Sequence, residues 1–214
     1  SLWCSRFLAG CKRRMGQDWR PDRAITPELM KALMAKVEGR LSGRILDESH
    51  RRRVVMCGAY FATTHVDSLR GPEGLLVDLG GLRKNLMKGL DKDYVIVALL
   101  GQVKGKHGER QHLSPTASTT RSGIKVRGWA ERVIAAIQVC GRTSGQAFCD
   151  DNGVTLKSRD MNEMFHELLG EIFVLHLAVF QADIQSVADV EDKHSVRRSL
   201  RRGLDSLAIA MKVP

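Results

Sequence analysis

Apolar residues recur at helical spacing through most of this chain, and in one place they run together as a strand would. Leu29, Leu33 and Val37 sit four apart behind Thr26-Pro27-Glu28. That triplet offers an N-cap hydroxyl, a first-turn proline and an acidic side chain near the positive helix end, so a helix opens there. A second helix is predicted from about Ser49 to Thr63, carrying Val54, Val55, Tyr60 and Phe61 inward and Arg51 to Arg53 outward, with a turn over Thr64 to Ser68. Leu69 to Leu79 reads as a third, with Leu69, Leu75, Leu76 and Leu79 apolar and Pro72 confined to its first turn. The strand is Tyr94-Val95-Ile96-Val97-Ala98-Leu99-Leu100, and Gln111 to Pro115 is its expected antiparallel partner across a Gly- and Lys-containing turn. Helices are then predicted over Val126 to Val139, Ser158 to Phe173 or beyond, and Leu200 to Met211, separated by Gly141 to Gly145 and by Asp150-Asp151-Asn152-Gly153. The pattern predicts an α+β fold that is mainly α, a helical core with one small antiparallel β-sheet. Tyr60, Tyr94, Trp129 and Phe165 read as core aromatics.

Composition adds a size, a charge and some exclusions. With 43% hydrophobic residues, 214 residues can build one domain of ordinary size. A basic, Trp-containing opening ends at Trp19-Arg20-Pro21-Asp22, where the proline disfavours helix in the residue before it. Residues 1–23 are therefore expected to be a linker or the end of a preceding domain, and 24–214 the domain itself. The formal net charge is +10, with clusters at Lys12-Arg13-Arg14, Arg51-Arg52-Arg53 and Arg197 to Arg202. These point to a polyanionic partner whose affinity falls as salt rises, the plain alternative being a basic surface that only confers solubility. Cys4, Cys11, Cys57, Cys140 and Cys149 are odd in number and lack short paired spacing, which predicts a reducing compartment, inert thiols and no metal site. No run approaches the ~18 apolar residues of a membrane span, and Ser1-Leu2-Trp3-Cys4-Ser5-Arg6 lacks a signal peptide's apolar centre. The expectation is an intracellular protein, nuclear if eukaryotic and otherwise cytoplasmic. There is no initiating Met, and the chain stops at Val213-Pro214 after a helix-patterned segment, so it is expected to be a piece of a longer one.

Candidate chemistry lies in three separated boxes. Arg70 stands in Asp67-Ser68-Leu69-Arg70-Gly71-Pro72-Glu73-Gly74, at the mouth of a predicted helix. Lys104 and Lys106 lie in Lys104-Gly105-Lys106-His107-Gly108-Glu109-Arg110, the turn after the strand. The third box is His194-Ser195-Val196-Arg197-Arg198-Ser199-Leu200-Arg201-Arg202-Gly203. Two arginines converging on one site suit bidentate clamping of a phosphate, and arginine, lysine and arginine together form a phosphoryl-transfer constellation that needs no metal or other cofactor. Each box also has a plainer explanation: a solvated Arg–Glu pair, a solvated hairpin, and a nonspecific nucleic-acid surface.

In this order and spacing, the boxes resemble the catalytic domain of the tyrosine recombinase, or phage integrase, family of DNA breaking and rejoining enzymes. The wording is nearest to recombinases of eukaryotic mobile elements of the Crypton and DIRS type. In that family an arginine three residues before an acidic residue opens a helix, as Arg70 and Glu73 do. A β-hairpin presents a lysine before a Glu-Arg pair, and a His-x-x-Arg box starts a later helix. The box aligns in two registers. His194 with Arg197 matches the letters. Arg198 in place of the His, with Arg201 as the second arginine, better matches the Arg-Arg-Gly ending and is the favoured register. His194 then reads as a surface residue or a phosphate contact.

The resemblance implies a helical core with one small antiparallel sheet, and duplex DNA as partner, with self-association into a dimer or tetramer on it. It also implies a tyrosine that attacks a phosphodiester to give a 3′-phosphotyrosine bond. Arg70 and Arg201 would bind the non-bridging oxygens, Lys104 or Lys106 would protonate the departing 5′-oxygen, and Glu73 would brace the site. Arg121, in Thr119-Thr120-Arg121-Ser122-Gly123, and Arg202 would contact DNA. The family's nucleophile lies beyond the arginine box, so it is expected beyond Pro214. Two readings follow from different classes: a site-specific recombinase domain, and a DNA-binding protein derived from one without strand cleavage. A helical scaffold for RNA or an acidic protein trails both.

Overall fold

The computed structural model describes residues 22–43, 47–87, 93–100, 111–120 and 122–203. Helix α1 (Pro27–Ser42) starts as its sequence predicts: the Thr26 hydroxyl accepts from the Leu29 N–H at 3.1 Å, Pro27 takes the first turn, and Leu29, Met30, Leu33, Met34 and Val37 are buried. Helix α2 (Glu48–Val66), capped by the Asp47 carboxylate on the His50 N–H at 2.7 Å, is the centre of the molecule. It packs against α1, against α5 (Val126–Ile137) and against α6 (Ser158–Leu175). Gly58 permits this close approach, since a Cβ there would lie 2.7 Å from the Trp129 ring and 2.8 Å from Val37. Phe61 meets Phe165 with ring centroids 5.5 Å apart, and Tyr60 meets Phe148 edge-on at 5.8 Å. Trp129 and Phe165 are buried, as their sequence context predicts.

Helix α2 runs three residues past its expected end. It closes with Ser68 N–H on the His65 carbonyl (3.2 Å) and Leu69 N–H on the Thr64 carbonyl (2.9 Å), the paired bonds of a Schellman ending, with Ser68 at φ 51° where glycine is commoner. Buried Leu69 anchors the exit, so the chain reaches Arg70 at a fixed angle.

The single helix expected over Leu69 to Leu79 is not one helix. A short turn α3 (Gly71–Gly74) is followed by extended chain, and α4 (Leu79–Met87) begins afterwards. Leu100 N–H donates to the Leu76 carbonyl and Asp78 N–H to Ala98, both at 2.7 Å, so residues 76–78 lie beside the sheet. The Asp78 carboxylate then accepts from Gly80 and Gly81 N–H, each at 3.1 Å, and restarts the helix. The apolar run thus serves a helix and a sheet edge in succession.

Strands β1 (Tyr94–Leu100) and β2 (Gln111–Ala117) pair antiparallel, from Tyr94 opposite Ala117 to Leu100 opposite Gln111. Pro115, opposite Ile96, is tolerated because β2 is an edge strand. Val95 and Val97 point into an interior shared with Leu82, Val126, Val133 and Phe148. By the same alternation Tyr94 points out and is 52% exposed, which corrects its reading as a core aromatic. The helix expected to reach Val139 gives way to a 3-10 turn over Gln138–Cys140, closed by Gly141 at φ 67°. Helix α7 (Val187–Lys193), capped by Ser186, went unpredicted because two turns are too short to show a periodic stripe. The predicted last helix is described only over 199–203.

Candidate nucleic-acid interface

Arg70 sits at the N-cap of α3 in extended conformation, with its side chain 44% exposed. Its own N–H is accepted by Glu73 Oε2 at 2.8 Å, while the guanidinium stays 3.7 Å from Glu73 Oε1. Glu73 therefore holds the backbone of Arg70 and only loosely engages its charge. The next peptide is fastened on both sides. Gly71 N–H donates to the Arg197 carbonyl at 3.2 Å, and the Tyr60 hydroxyl donates to the Gly71 carbonyl at 3.0 Å. A Cβ on Gly71 would lie 2.8 Å from both Arg197 Cα and the Val196 carbonyl oxygen. Two boxes far apart in sequence touch here through backbone.

The second box is cradled by several elements at once. The His65 ring donates from Nδ1 to the Leu200 carbonyl at 3.0 Å, and His166 donates from Nε2 to the His194 carbonyl at 2.7 Å. Asn162 Oδ1 accepts from Val196 N–H at 3.1 Å, and Ser199 Oγ from Ser195 N–H at 3.0 Å. Ile25 N–H reaches the Ser199 carbonyl at 3.1 Å, and Arg23 N–H the Lys193 carbonyl at 2.5 Å. Asp22 and Arg23, the last residues of the stretch read as a linker, are thus held against the body. Tyr60, His65, Asn162 and His166 carried no sequence signal for this role. Each looks like an ordinary helix residue until the partner chain segment is known.

His194 corrects its reading as a surface residue or phosphate contact. It is buried, its Nδ1 donates to the Val190 carbonyl at 3.2 Å, and its ring meets Phe180 edge-on. Burial holds its pKa below the usual histidine value against the Val190 carbonyl, with His166 adding to the depression. A neutral, inward ring is a poor ligand for phosphate. His65 is depressed for the same reason, burial outweighing its bond to Leu200. Both rings stay neutral in the folded chain while an unfolded histidine takes up a proton below about pH 6.5. The unfolded state then binds more protons, so stability should fall as pH drops below that value. Urea midpoints should therefore be lower at pH 5.5 than at pH 7.5, and His65→Gln should narrow the difference; equal midpoints would contradict two buried neutral rings.

The structure brings Gly71, the residue after Arg70, to the backbone of Arg197. Arg201 lies one helical turn further on, half-buried in 199–203, after the bonds Ser199 N–H to Ser195 and Arg202 N–H to Arg198. Arg198 faces Asp22 at 3.8 Å, and Arg202 donates to the Asp22 carbonyl at 2.6 Å. Lys104, Lys106 and Arg121 lie outside the described residues.

Most of the arginines among the described residues are engaged internally. Arg52 grips Asp151 through two bonds of 2.6 and 2.7 Å, holding that carboxyl down at about 2, well below the usual carboxylate value. Arg51 donates to the Leu41 and Gly43 carbonyls, Arg40 to Glu167 and Glu171, Arg23 to Asp183, and Arg132 to Glu38. The Arg51–Arg53 cluster is thus largely fold-holding. Arg197 is different: it is exposed, and no side-chain partner engages it among the described residues. Among the described residues no helix is long and apolar enough to cross a membrane, and no group of His, Cys, Asp and Glu is arranged to hold a metal ion.

No protein-family model matches the chain, and no match to a curated protein was found.

Proposed function

We propose that this chain binds duplex DNA as the core of a tyrosine-recombinase-like domain, with Arg70 and Arg197 closing on one backbone phosphate. The observation that carries the reading is the backbone bond from Gly71 N–H to the Arg197 carbonyl, which joins the segment next to Arg70 to Arg197, both arginines being exposed. Two planar cations on one anion supply charge neutralisation and geometry together. In the full reading such a pair would stabilise charge building on the non-bridging oxygens, while Lys104 or Lys106 delivers a proton to the leaving oxygen. Arg201 is the second arginine in the other register, and self-association on DNA belongs to the same proposal.

Binding without cleavage by these residues alone is the second reading, and Tyr60 favours it. Burial raises the Tyr60 phenol far above the ordinary tyrosine value, and its hydroxyl is committed to the Gly71 carbonyl. An attacking phenol needs access and a proton acceptor, and Tyr60 has neither. Tyr94, the other tyrosine of the sequence, lies exposed on the first residue of β1. Incubating the chain with a nicked suicide duplex should give salt-dependent retention and no covalent adduct on a denaturing gel. An adduct lost in Tyr94→Phe would assign the nucleophile to Tyr94, and absence of retention at low salt would end the DNA reading.

A further inference from the structure

Beside the Gly71–Arg197 contact lies an open pocket of about 460 Å³. Arg159, Arg197 and Arg198 line it, together with Asn162, Ser195 and a single carboxylate, Asp22. Arg197 belongs to both places: its backbone is fastened to Gly71, and its side-chain face opens on this pocket. The three cations come from two elements. Arg159 stands on the first turn of α6, while Arg197 and Arg198 stand at the start of the box, and Asn162 Oδ1 ties those elements together through Val196 N–H.

Two of the three charges, those of Arg197 and Arg198, have no hydrogen-bonded carboxylate among the described residues. Arg159 Nε donates to Glu163 Oε1 at 2.8 Å one turn along α6, in an ion pair open to solvent, the Arg159 side chain being 87% exposed. Arg198 Nε stands 3.8 Å from Asp22 Oδ2, beyond hydrogen-bonding distance, with its side chain 47% exposed. Three guanidiniums against Asp22 and the Glu163 carboxylate paired with Arg159 leave a net positive concavity, and such a concavity concentrates the opposite ion. Arg197 and Arg198 contrast with Arg52 and Arg40, whose carboxylate partners are in direct contact.

We propose that this pocket is a second phosphate subsite, taking a phosphate of the same duplex next to the one held by Arg70 and Arg197. The inference rests on the proposed DNA reading and deepens it: the interface is a two-phosphate groove rather than a single clamp. Arg197 is shared between the two phosphates. Asp22 is the repulsive element of the groove, limiting affinity for any anion that lacks a second contact.

Fluorescence anisotropy with a short labelled duplex tests this with the full chain. The double variant Arg159→Ala/Arg198→Ala should bind roughly tenfold more weakly, with a salt slope smaller by about one phosphate. Asp22→Asn should bind about threefold more tightly, a gain that a damaged fold does not produce. If the double variant and Asp22→Asn both bind like the parent while Arg70→Ala is impaired, the subsite is wrong and the clamp stands. If Arg70→Ala binds like the parent while the double variant is impaired, the clamp is wrong and the subsite stands. Failure of the parent to bind duplex removes both. Should inorganic pyrophosphate bind the parent as tightly as the duplex, and lose that binding in the double variant, the ligand is a free phosphate and the duplex assignment is overturned.

Discussion

An alanine at position 71 should cost about 1–3 kcal/mol of stability and push the two arginine boxes apart. The Cβ would arrive 2.8 Å from Arg197 Cα and from the Val196 carbonyl oxygen, and both are backbone, so no side-chain rotation relieves the clash. The Tyr60 hydroxyl, 3.1 Å from the same point, blocks retreat in that direction. Something must move, and the movement breaks the Gly71–Arg197 hydrogen bond or the Tyr60–Gly71 one. Thermal unfolding should shift down by about 2–4 °C per kcal/mol. Duplex affinity should fall with it even under conditions where the variant is fully folded, because the contact that fastens Gly71 to Arg197 is gone. A variant with the parental melting temperature and parental affinity would show that the two boxes do not depend on this contact.

Removing the clamp itself should have the larger effect on binding. Arg70→Ala/Arg197→Ala deletes two exposed guanidiniums without touching the core, so the fold should survive while duplex affinity drops roughly tenfold to hundredfold. The salt dependence should weaken by about one phosphate, since those cations no longer displace counterions. Arg132→Ala is the matched control: it also removes an arginine, but one stacked 4.6 Å over Trp129 and bonded to Glu38. Titrations of all three chains across a salt series would decide. Equal losses in the double variant and in Arg132→Ala would mean that net charge, not a clamp, attracts DNA. Adding Arg201→Ala to the series separates the registers, because a loss at 201 comparable to that at 197 would place both arginines on the phosphate.

Local signals explain how much of the fold was legible. Thr26-Pro27-Glu28, the Tyr94–Leu100 run and the stripe of α6 each announce themselves because caps, branched residues and helical periodicity act over a single turn or strand. Leu69 to Leu79 misled because an apolar run does not say what it will pack against: Leu76 and Asp78 pair with the sheet, and the helix restarts at Leu79. His194 misled for the opposite reason. A histidine beside an arginine run looks exposed, yet His194 is the closing residue of α7, and its ring turns into the body against Phe180.

A mainly helical fold with one small antiparallel sheet, and the places where arginines cluster, were determined by the sequence alone, because helix caps, strand alternation and runs of charge are properties of neighbouring residues. Tertiary structure decided which of those charges are available. Arg52 and Arg51 are spent on Asp151 and on the end of α1, whereas Arg197 is held by its backbone with its side chain in the open. It also decided that Gly71, beside Arg70, meets Arg197, because a glycine is small enough to let two backbones touch with Tyr60 buried behind it. Spacing along a chain cannot carry that information: the contact depends on how α2, α6 and residues 22–25 close around 194–203, and each supplies only one or two of the bonds that hold it there.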